Sequence, residues 1–391
     1  MKVTRSTGWG ILALLATGNV MASDMPLNMT QGVTEISRAT YDLHMLIFYI
    51  CCVIGAVVFG LMFVSIFLHR KSRGVTPATF HESLTVEIVW TVVPLFILIG
   101  MCIPATKLLM DIENNDDSDM TVQITGSQWK WHYKYFDNDL EFYSNLATPR
   151  AEYENYNGMF NTVSELPREK TANYLVEVDR PLVIPINKKV RFLVTSDDVI
   201  HSWWVPEFSV KQDANPGFIN EAWTKVDKPG VYRGKCTELC GKDHGFMPIV
   251  VIAKEQADYD AWMAEQVAIQ EAKKAEEQKL LGMQMSMEEL MELGEKVYLA
   301  QCAACHQPNG EGLPGVFPAL KDSPVAINKG EPREHIDIIV NGVSGTAMQA
   351  YGKQLGLKEL AAVITYERNA WGNDTGDVVQ AADVNAVMKG Q

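Results

Sequence analysis

Two cysteines, a histidine and a methionine lie within twelve residues of this chain, in the segment Cys236-Thr-Glu-Leu-Cys240-Gly-Lys-Asp-His244-Gly-Phe-Met247. A second histidine, His201, precedes them in Asp198-Val-Ile-His201-Ser-Trp-Trp. Thiolate and thioether ligands beside imidazoles favour copper over hard cations, and a single-copper electron-transfer site uses only one cysteine. The additional thiolate therefore predicts a centre of two copper ions.

Two other interpretations of these cysteines are open. Two cysteines in an exported protein usually form a disulfide, and a Cys-x-x-x-Cys pair alone is compatible with one. The ligand types also allow a tetrahedral zinc site. The neighbouring histidines and methionine favour a metal over a disulfide, and methionine suits redox copper better than zinc. Copper is therefore the preferred interpretation.

A second redox pattern, Cys302-Ala-Ala-Cys305-His306, has the form of a c-type haem attachment site. In such a site both sulfurs bond the porphyrin and the histidine ligates the iron. A thioredoxin-like pair is the alternative, but it leaves His306 without a role. Met348, in a glycine-rich segment before the last predicted helix, is our candidate for the sixth iron ligand, since a thioether raises the reduction potential of haem.

Length and charge limit the possible classes of protein. A chain of 391 residues is longer than one hydrophobic core usually organises, so two or three structural units are expected. The formal net charge of −14 argues against a nucleic-acid partner and suits a basic protein partner.

Three apolar segments predict export and membrane insertion. Residues 1–22 are typical of a secretory signal peptide, whose apolar core is too short to span a bilayer. Residues 43–68 and 84–105 are each long enough to span one. Arg70, Lys71 and Arg73 lie between these spans and acidic residues follow the second, so the positive-inside rule places the loop in the cytoplasm. Both metal motifs are then expected outside it.

The predicted elements place the two motifs on different scaffolds. Short strands are expected at residues 121–125, 174–178, 190–195 and 248–253, the pattern of a β-sandwich or barrel whose rim gathers the copper ligands. Residues 256–285 have a helix-forming composition and predict a helical connector. Ser286-Met-Glu-Glu289 has the form of a capping box, and residues 357–370 predict the closing helix of the haem domain.

Residues 41–255 resemble subunit II of the haem-copper cytochrome c oxidases. The resemblance rests on the two-span hairpin, Gln128-Trp129-Lys130-Trp131, the His201 segment and Cys236 through Met247. Residues 286–374 look like a fused class I cytochrome c domain. The implied chain is multidomain: a signal peptide (1–22), an N-terminal segment with a two-helix transmembrane hairpin (23–110), an all-β cupredoxin-like sandwich (111–255), a helical linker (256–285), an all-α cytochrome c domain (286–374) and a tail (375–391).

The resemblance also implies the ligands of the copper centre, which this family calls CuA. They are the side chains that match His201, Cys236, Cys240, His244 and Met247, together with the main-chain carbonyl of Glu238. The Glu238 carboxylate would reach a magnesium ion at the boundary with the catalytic subunit, as a hard ligand for a hard cation. A solvated loop carboxylate is the alternative for Glu238.

Further roles follow from the resemblance alone. Trp129 matches the family's electron-accepting tryptophan, with a core aromatic as the alternative. Glu87 matches a glutamate at the mouth of a proton path, although a carboxylate near a membrane boundary can also simply extend to the interface. In the haem domain, Cys302 and Cys305 match the thioether links, and His306 and Met348 match the axial ligands. The carbonyl of Pro318 would orient the His306 ring.

Two positions depart from the family pattern. Lys130 stands where an aromatic residue is usual, and Phe218 stands where a basic residue is usual. These departures concern docking of the electron donor and leave copper ligation intact.

The implied function is the electron-accepting subunit of a proton-pumping terminal oxidase in the bilayer of a bacterial inner membrane, with both metal domains on the periplasmic side. Electrons would pass from cytochrome c or another haem donor through haem c and CuA to catalytic subunit I, with subunit III as a further partner. Two other classes are open: a nitrogen-oxide reductase with the same copper centre, and a membrane-tethered carrier without a catalytic partner.

Overall fold

A computed structural model describes residues 28–76, 78–138, 140–149, 152, 170–343 and 346–390; the predicted signal peptide lies outside the described residues. The α-helices are α1 (Glu35–Leu68), α2 (Leu84–Glu113), α3 (Gln256–Leu280), α4 (Met287–Gln301), α5 (Ala303–His306), α6 (Arg333–Asn341), α7 (Leu357–Asn369) and α8 (Ala381–Met388). The strands are β1 (Met120–Ser127), β2 (Lys130–Tyr135), β3 (Leu140–Ser144), β4 (Leu182–Pro185), β5 (Val190–Ser196), β6 (His201–Val205), β7 (Val210–Ala214), β8 (Asn220–Thr224), β9 (Gly230–Cys236) and β10 (Pro248–Lys254).

Helices α1 and α2 form a hairpin, and each is long and apolar enough to cross a membrane. They contain the two predicted spans, and most of their apolar side chains are exposed in the isolated chain. A helix that is apolar all round needs lipid or another subunit against it. The start of α1 and the end of α2 both contact the sandwich: Arg38 pairs with Asp227 at 2.7 Å, and Trp223 Nε1 donates to the carbonyl of Ile112 at 2.9 Å. The basic loop therefore lies at the opposite end of the hairpin from the sandwich.

The ten strands form two five-stranded sheets, ordered β3-β2-β1-β5-β8 and β4-β10-β9-β6-β7. The strands predicted at residues 121–125, 190–195 and 248–253 correspond to β1, β5 and β10. Along β5 the side chains alternate between buried and half-buried, because successive residues of a strand face opposite sides of its sheet. Trp131, Tyr133, Phe192 and Trp203 are among the fully buried side chains of the core.

The strand predicted at residues 174–178 is wrong. Asn173 and Leu175 have left-handed backbone conformations, with φ of 58° and 60°, and these interrupt an extended run. The Leu175 amide donates to the Thr148 hydroxyl at 2.9 Å instead of joining a strand ladder. Only Val178 forms an isolated bridge.

Helix α3 occupies most of the predicted helical connector, and it contacts both domains. At its start, Tyr259 and Met263 are buried in the core of the sandwich, and the ring centroids of Trp262 and Tyr135 are 5.8 Å apart. Just after its end, Leu281 packs against the core of the helical domain. A single 25-residue helix thus links the two domains.

The helical domain begins as predicted, because Ser286 and Glu289 form a reciprocal capping box at the start of α4. Helix α4 crosses α7, the predicted closing helix, so closely that a Cβ on Gly294 would lie 2.2 Å from the carbonyl oxygen of Ala362. Residues 375–391 were expected to be a tail. Instead they include α8, whose Val384 is fully buried in the core of the helical domain.

Candidate metal centres

The first candidate centre lies at one end of the sandwich, where β6 begins and β9 ends. These antiparallel strands are paired at Trp203 and Cys236, and the Thr237 amide extends the pairing by donating to the carbonyl of Ser202 at 3.1 Å. His201, the first residue of β6, is therefore beside the loop that follows β9. That loop returns directly into β10, so sheet pairing fixes both of its ends.

The six predicted donors converge at this end. Cys236 Sγ lies 3.8 Å from Cys240 Sγ, 4.0 Å from His201 Nδ1 and 3.4 Å from the carbonyl oxygen of Glu238. Cys240 Sγ lies 3.4 Å from His244 Nδ1 and 3.5 Å from Met247 Sδ. Ligand atoms of His201, Cys236 and Cys240 all lie within 4.8 Å of one another.

This donor set decides between the interpretations of the cysteine pair. A disulfide has a sulfur–sulfur distance of about 2.05 Å, so thiols 3.8 Å apart are not bonded to each other. A tetrahedral zinc ion takes four ligands, whereas six donor atoms converge here, one of them a thioether. Two thiolates, each beside its own imidazole, fit a pair of soft metal ions that share both sulfurs.

Asp198 orients the His201 ring. Its Oδ1 lies 2.9 Å from His201 Nε2, which leaves Nδ1 directed at Cys236. Burial disfavours the Asp198 carboxylate, but hydrogen bonds from His201 and from the amides of Gln128 and Val199 outweigh burial and hold its pKa below the usual value. A carboxylate on the far side of an imidazole fixes the tautomer and makes the ligating nitrogen more basic.

The hydrogen bond between the two thiols moves their pKa values in opposite directions. A hydrogen bond from Cys240 is the main cause that lowers the pKa of Cys236, and His201 adds to it. The Cys236 thiolate in turn raises the pKa of Cys240. Soft metal ions bind thiolates, and the raised pKa of Cys240 means that loading this site would release its proton.

Trp129 lies directly against residues 236–247, the segment with the candidate copper ligands, which we call the copper loop. Its indole Nε1 donates to the carbonyl of Cys240 at 3.1 Å, and the Gln128 side chain donates to the same oxygen at 2.8 Å. Gly241 allows this approach: its φ is +114°, and a Cβ there would lie 2.8 Å from Gln128 Nε2. Trp129 is half-buried, whereas Trp131 is the aromatic residue in the core.

Two predicted acidic residues lie outside this cluster of donors. The Glu238 side chain is exposed at the rim of the loop, while its carbonyl faces Cys236. Glu87 is exposed in the first turn of α2. Phe218 is 71% exposed in the turn between β7 and β8, where an apolar ring of this size has no core to contact.

The second candidate centre is at the junction of α4 and α5. Neither Cys302 nor Cys305 forms a disulfide, and burial raises the pKa of Cys302 well above its usual value. His306 Nδ1 lies 2.9 Å from the carbonyl oxygen of Pro318, the contact that the sequence predicts. This contact leaves Nε2 free to ligate iron, so the residues fit a covalent haem.

Met348 lines a cleft of about 500 Å³ between the helical domain and the sandwich, whose opposite wall includes Tyr143, Asp197 and Asp198. The structure thus places Met348 at the domain boundary.

Motif reasoning missed Asp198 and Gln128 as supporting residues of the first candidate centre. The spacing of Asp198, three residues before a histidine ligand, is a signal that could have identified it.

Fold and sites together define a class: a membrane-anchored protein with a cupredoxin-like sandwich, a two-thiolate metal loop and a helical domain with a c-type haem motif. Family models agree. "Cytochrome C oxidase subunit II, periplasmic domain" matches residues 120–254, and the transmembrane domain of the same subunit matches residues 22–108. The chain belongs to the cytochrome c oxidase subunit II family, and it acts as a subunit of that enzyme. "Cytochrome C oxidase, cbb3-type, subunit III" matches residues 289–366, which form its cytochrome c domain.

Similar proteins include other cytochrome c oxidase subunits. A probable cytochrome c oxidase subunit 2 of Rickettsia felis is 40% identical over 259 residues, which cover 65% of this chain and 77% of that protein. Cytochrome c oxidase subunit 2 of Chondrus crispus is 33% identical over 244 residues, which cover 62% and 92%. The crystal structure of the periplasmic domain of subunit II of cytochrome oxidase (CoxB) of Bradyrhizobium japonicum is 38% identical with a TM-score of 0.32, covering 39% of this chain and 96% of that one.

Proposed function

We propose that this chain accepts electrons from a cytochrome c donor and delivers them, through its own haem c and a dinuclear copper centre, to the catalytic subunit of a proton-pumping terminal oxidase. The observation that carries the proposal is the convergence of six donors around two thiols 3.8 Å apart. When bound, the paired coppers and the haem supply one-electron carriers, which the chain itself lacks.

The copper centre would be held by His201, Cys236, Cys240, His244 and Met247 with the carbonyl of Glu238. Asp198 orients His201, and the hydrogen bonds that Gln128 and Trp129 donate fix the carbonyl of Cys240. Ligands that are held in place before a metal binds need little rearrangement when its charge changes, which suits electron transfer.

The haem would be bonded by Cys302 and Cys305 and ligated by His306 and Met348, with Pro318 orienting the His306 ring. His306 and Met348 would ligate the iron, and side chains with one main-chain carbonyl would hold the coppers. With these ligands neither metal would offer a position to oxygen, so we assign oxygen reduction to the catalytic subunit.

The remaining roles concern partners. The exposed Glu238 carboxylate would bind a magnesium ion at the boundary with subunit I, because hard cations prefer carboxylate oxygens. Glu87, at the start of α2, would lie at the mouth of a proton path into that subunit. The exposed apolar surfaces of α1 and α2 would contact lipid and subunits I and III. We place the complex in a bacterial inner membrane with both metal domains on the periplasmic side.

Metal analysis and electron paramagnetic resonance of the purified complex test the proposal. We expect two coppers that share one unpaired electron and one low-spin haem c per chain. Cys240→Ser should abolish the shared-electron signal and leave the haem, whereas Cys52→Ser, in α1, should change neither. A wild-type complex that holds zinc or no metal at this site would contradict the proposal.

The same preparation separates the rival classes. An oxidase subunit should copurify in mild detergent with large apolar subunits and consume oxygen. A lone carrier would come out without them, and a nitrogen-oxide reductase would consume its own substrate instead.

A further inference from the structure

The haem domain lies against residues 128–130 of the sandwich, which we call the Trp129 strip. The Gln349 side chain donates to the main-chain carbonyl of Gln128, and the Lys130 ammonium donates to Gln354 Oε1. Both contacts join a residue next to Trp129 with the segment that follows Met348. The covalent link through α3 and this polar contact therefore attach the haem domain to the sandwich at separate places.

Lys130 is buried between aromatic rings from both domains. Its Nζ lies 5.5 Å from the ring centroid of Tyr143 on β3 and 5.4 Å from that of Tyr351 in the haem domain. Cations are attracted to the faces of aromatic rings at this range. The residue is only 7% exposed, and burial lowers the pKa of Lys130 to about 8. The nearby Asp198 carboxylate favours the cation but does not outweigh burial. A buried cation is expensive to desolvate, so its contacts determine orientation more than strength.

The contacts on each side of Lys130 continue to the two metal motifs. Beyond Tyr351, its hydroxyl donates to the carbonyl of Gln301 at 3.2 Å, and Gln301 is bonded to Cys302. On the other side Trp129 is the next residue in the chain, and its indole donates to the carbonyl of Cys240. An unbroken series of contacts thus runs from a haem-attachment cysteine to a copper-ligating cysteine.

We propose that Lys130 is a positioning residue, which docks the chain's own haem domain on the Trp129 strip and so fixes the internal route by which electrons reach the copper loop. The proposal rests on the proposed function and adds the contact that the route uses. The docked haem domain also covers the Trp129 strip, so an external electron donor cannot bind there. External donors then reduce the haem domain only.

Lys130→Glu in the complete oxidase complex tests the contact, because it places a carboxylate against two ring faces and near Asp198. Amide hydrogen exchange of residues 349–355 should become about tenfold faster, the change expected when a hydrogen bond to a charged group is lost. Transfer from haem to copper, followed after rapid reduction of the haem, should slow about tenfold, since it needs the docked state. Lys130→Arg keeps a cation that stacks on aromatic rings and should restore both values.

The matched control is Lys134→Glu, four residues along the same strand at a half-exposed position. It should leave both the exchange and the transfer rate unchanged. Exchange that stays at the wild-type rate in Lys130→Glu would overturn the proposal. Faster exchange with an unchanged transfer rate would overturn it equally, because the contact would then be structural only. A wild-type complex without copper or haem would instead refute the proposed function, while the exchange measurement would still report on the contact.

Discussion

Gly126→Ala should displace a copper ligand without altering any ligand's identity. Gly126 lies on β1, and a Cβ there would be 2.8, 2.9 and 3.0 Å from Cδ2, Cγ and Cβ of His201. Carbon atoms in favourable contact are about 3.5–4.0 Å apart, so the imidazole must retreat by roughly half an ångström or more. The ring is fully buried, and both Trp131 and Asp198 adjoin it, so it has little room to do so.

The size of the effect follows from this crowding. Inserting a methyl group into a well-packed site costs about 1–3 kcal/mol, which corresponds to roughly 5–150-fold in a binding constant. Ligand distances in metal sites tolerate only about 0.2 Å of error. We therefore expect Gly126→Ala to lower copper affinity more than it lowers the free energy of unfolding.

Competition for copper between the purified complex and a chelator of known affinity measures the effect. Gly245→Ala is the matched control, since Gly245 lies between His244 and Met247 in the ligand loop and a Cβ there would meet nothing within 4 Å. We expect wild-type affinity for the control and a clear loss for Gly126→Ala. Equal affinity in the two variants would show that the His201 ring is not held as the structure places it.

Three further predictions test the surroundings of the sites. Asp198→Ala should weaken copper binding by about 10–100-fold. Asp198→Asn should weaken it less, because the Asn side-chain oxygen can still accept a hydrogen bond from His201. Its NH₂ group would then replace the carboxylate oxygen that accepts from the Gln128 amide. Burial lowers the pKa of Lys130 to about 8 from 10.5, so undocking takes up a proton between these values and docking should tighten as pH rises through them. Hydrogen-exchange protection factors of residues 349–355 measure this tightening. Lys130→Met should abolish the pH dependence, because Tyr143 and Tyr351 stay neutral in this range: burial raises the pKa of both. Gly294→Ala should destabilise the haem domain by about 1–3 kcal/mol in thermal unfolding and leave copper affinity unchanged, since its Cβ would strike the Ala362 backbone and the Tyr366 side chain of α7.

The features predicted correctly from the sequence are those encoded locally. Ligand types and spacing predicted the convergence of six donors, because these come from one segment of twelve residues plus His201. The capping box at Ser286 and the helical connector follow from neighbours within one or two turns. The contact between Pro318 and His306 was predicted by resemblance, and the structure contains it.

The features that escaped prediction depend on distant partners. Leu175 leaves the extended region because its amide binds Thr148, a residue 27 positions away in the chain. The apolar residues of α8 showed no sign in the sequence that they would complete the core of the haem domain. Gln128 supports the copper loop through a hydrogen bond across 112 positions. Such pairings are set by the assembled fold, which a local pattern does not specify.

Lys130 connects the departure from the family pattern with the docked haem domain. A donor that arrives from solution is guided by long-range charge, which requires an exposed and complementary surface. A donor tethered through α3 is already present at high effective concentration, so short-range contacts suffice to orient it. Under that condition a lysine in place of the usual aromatic residue is an advantage, because its cation can contact Tyr143 on one side and Tyr351 on the other. In the proposed electron route, the lysine that would hinder an external donor at Trp129 is thus the residue that suits the tethered haem domain.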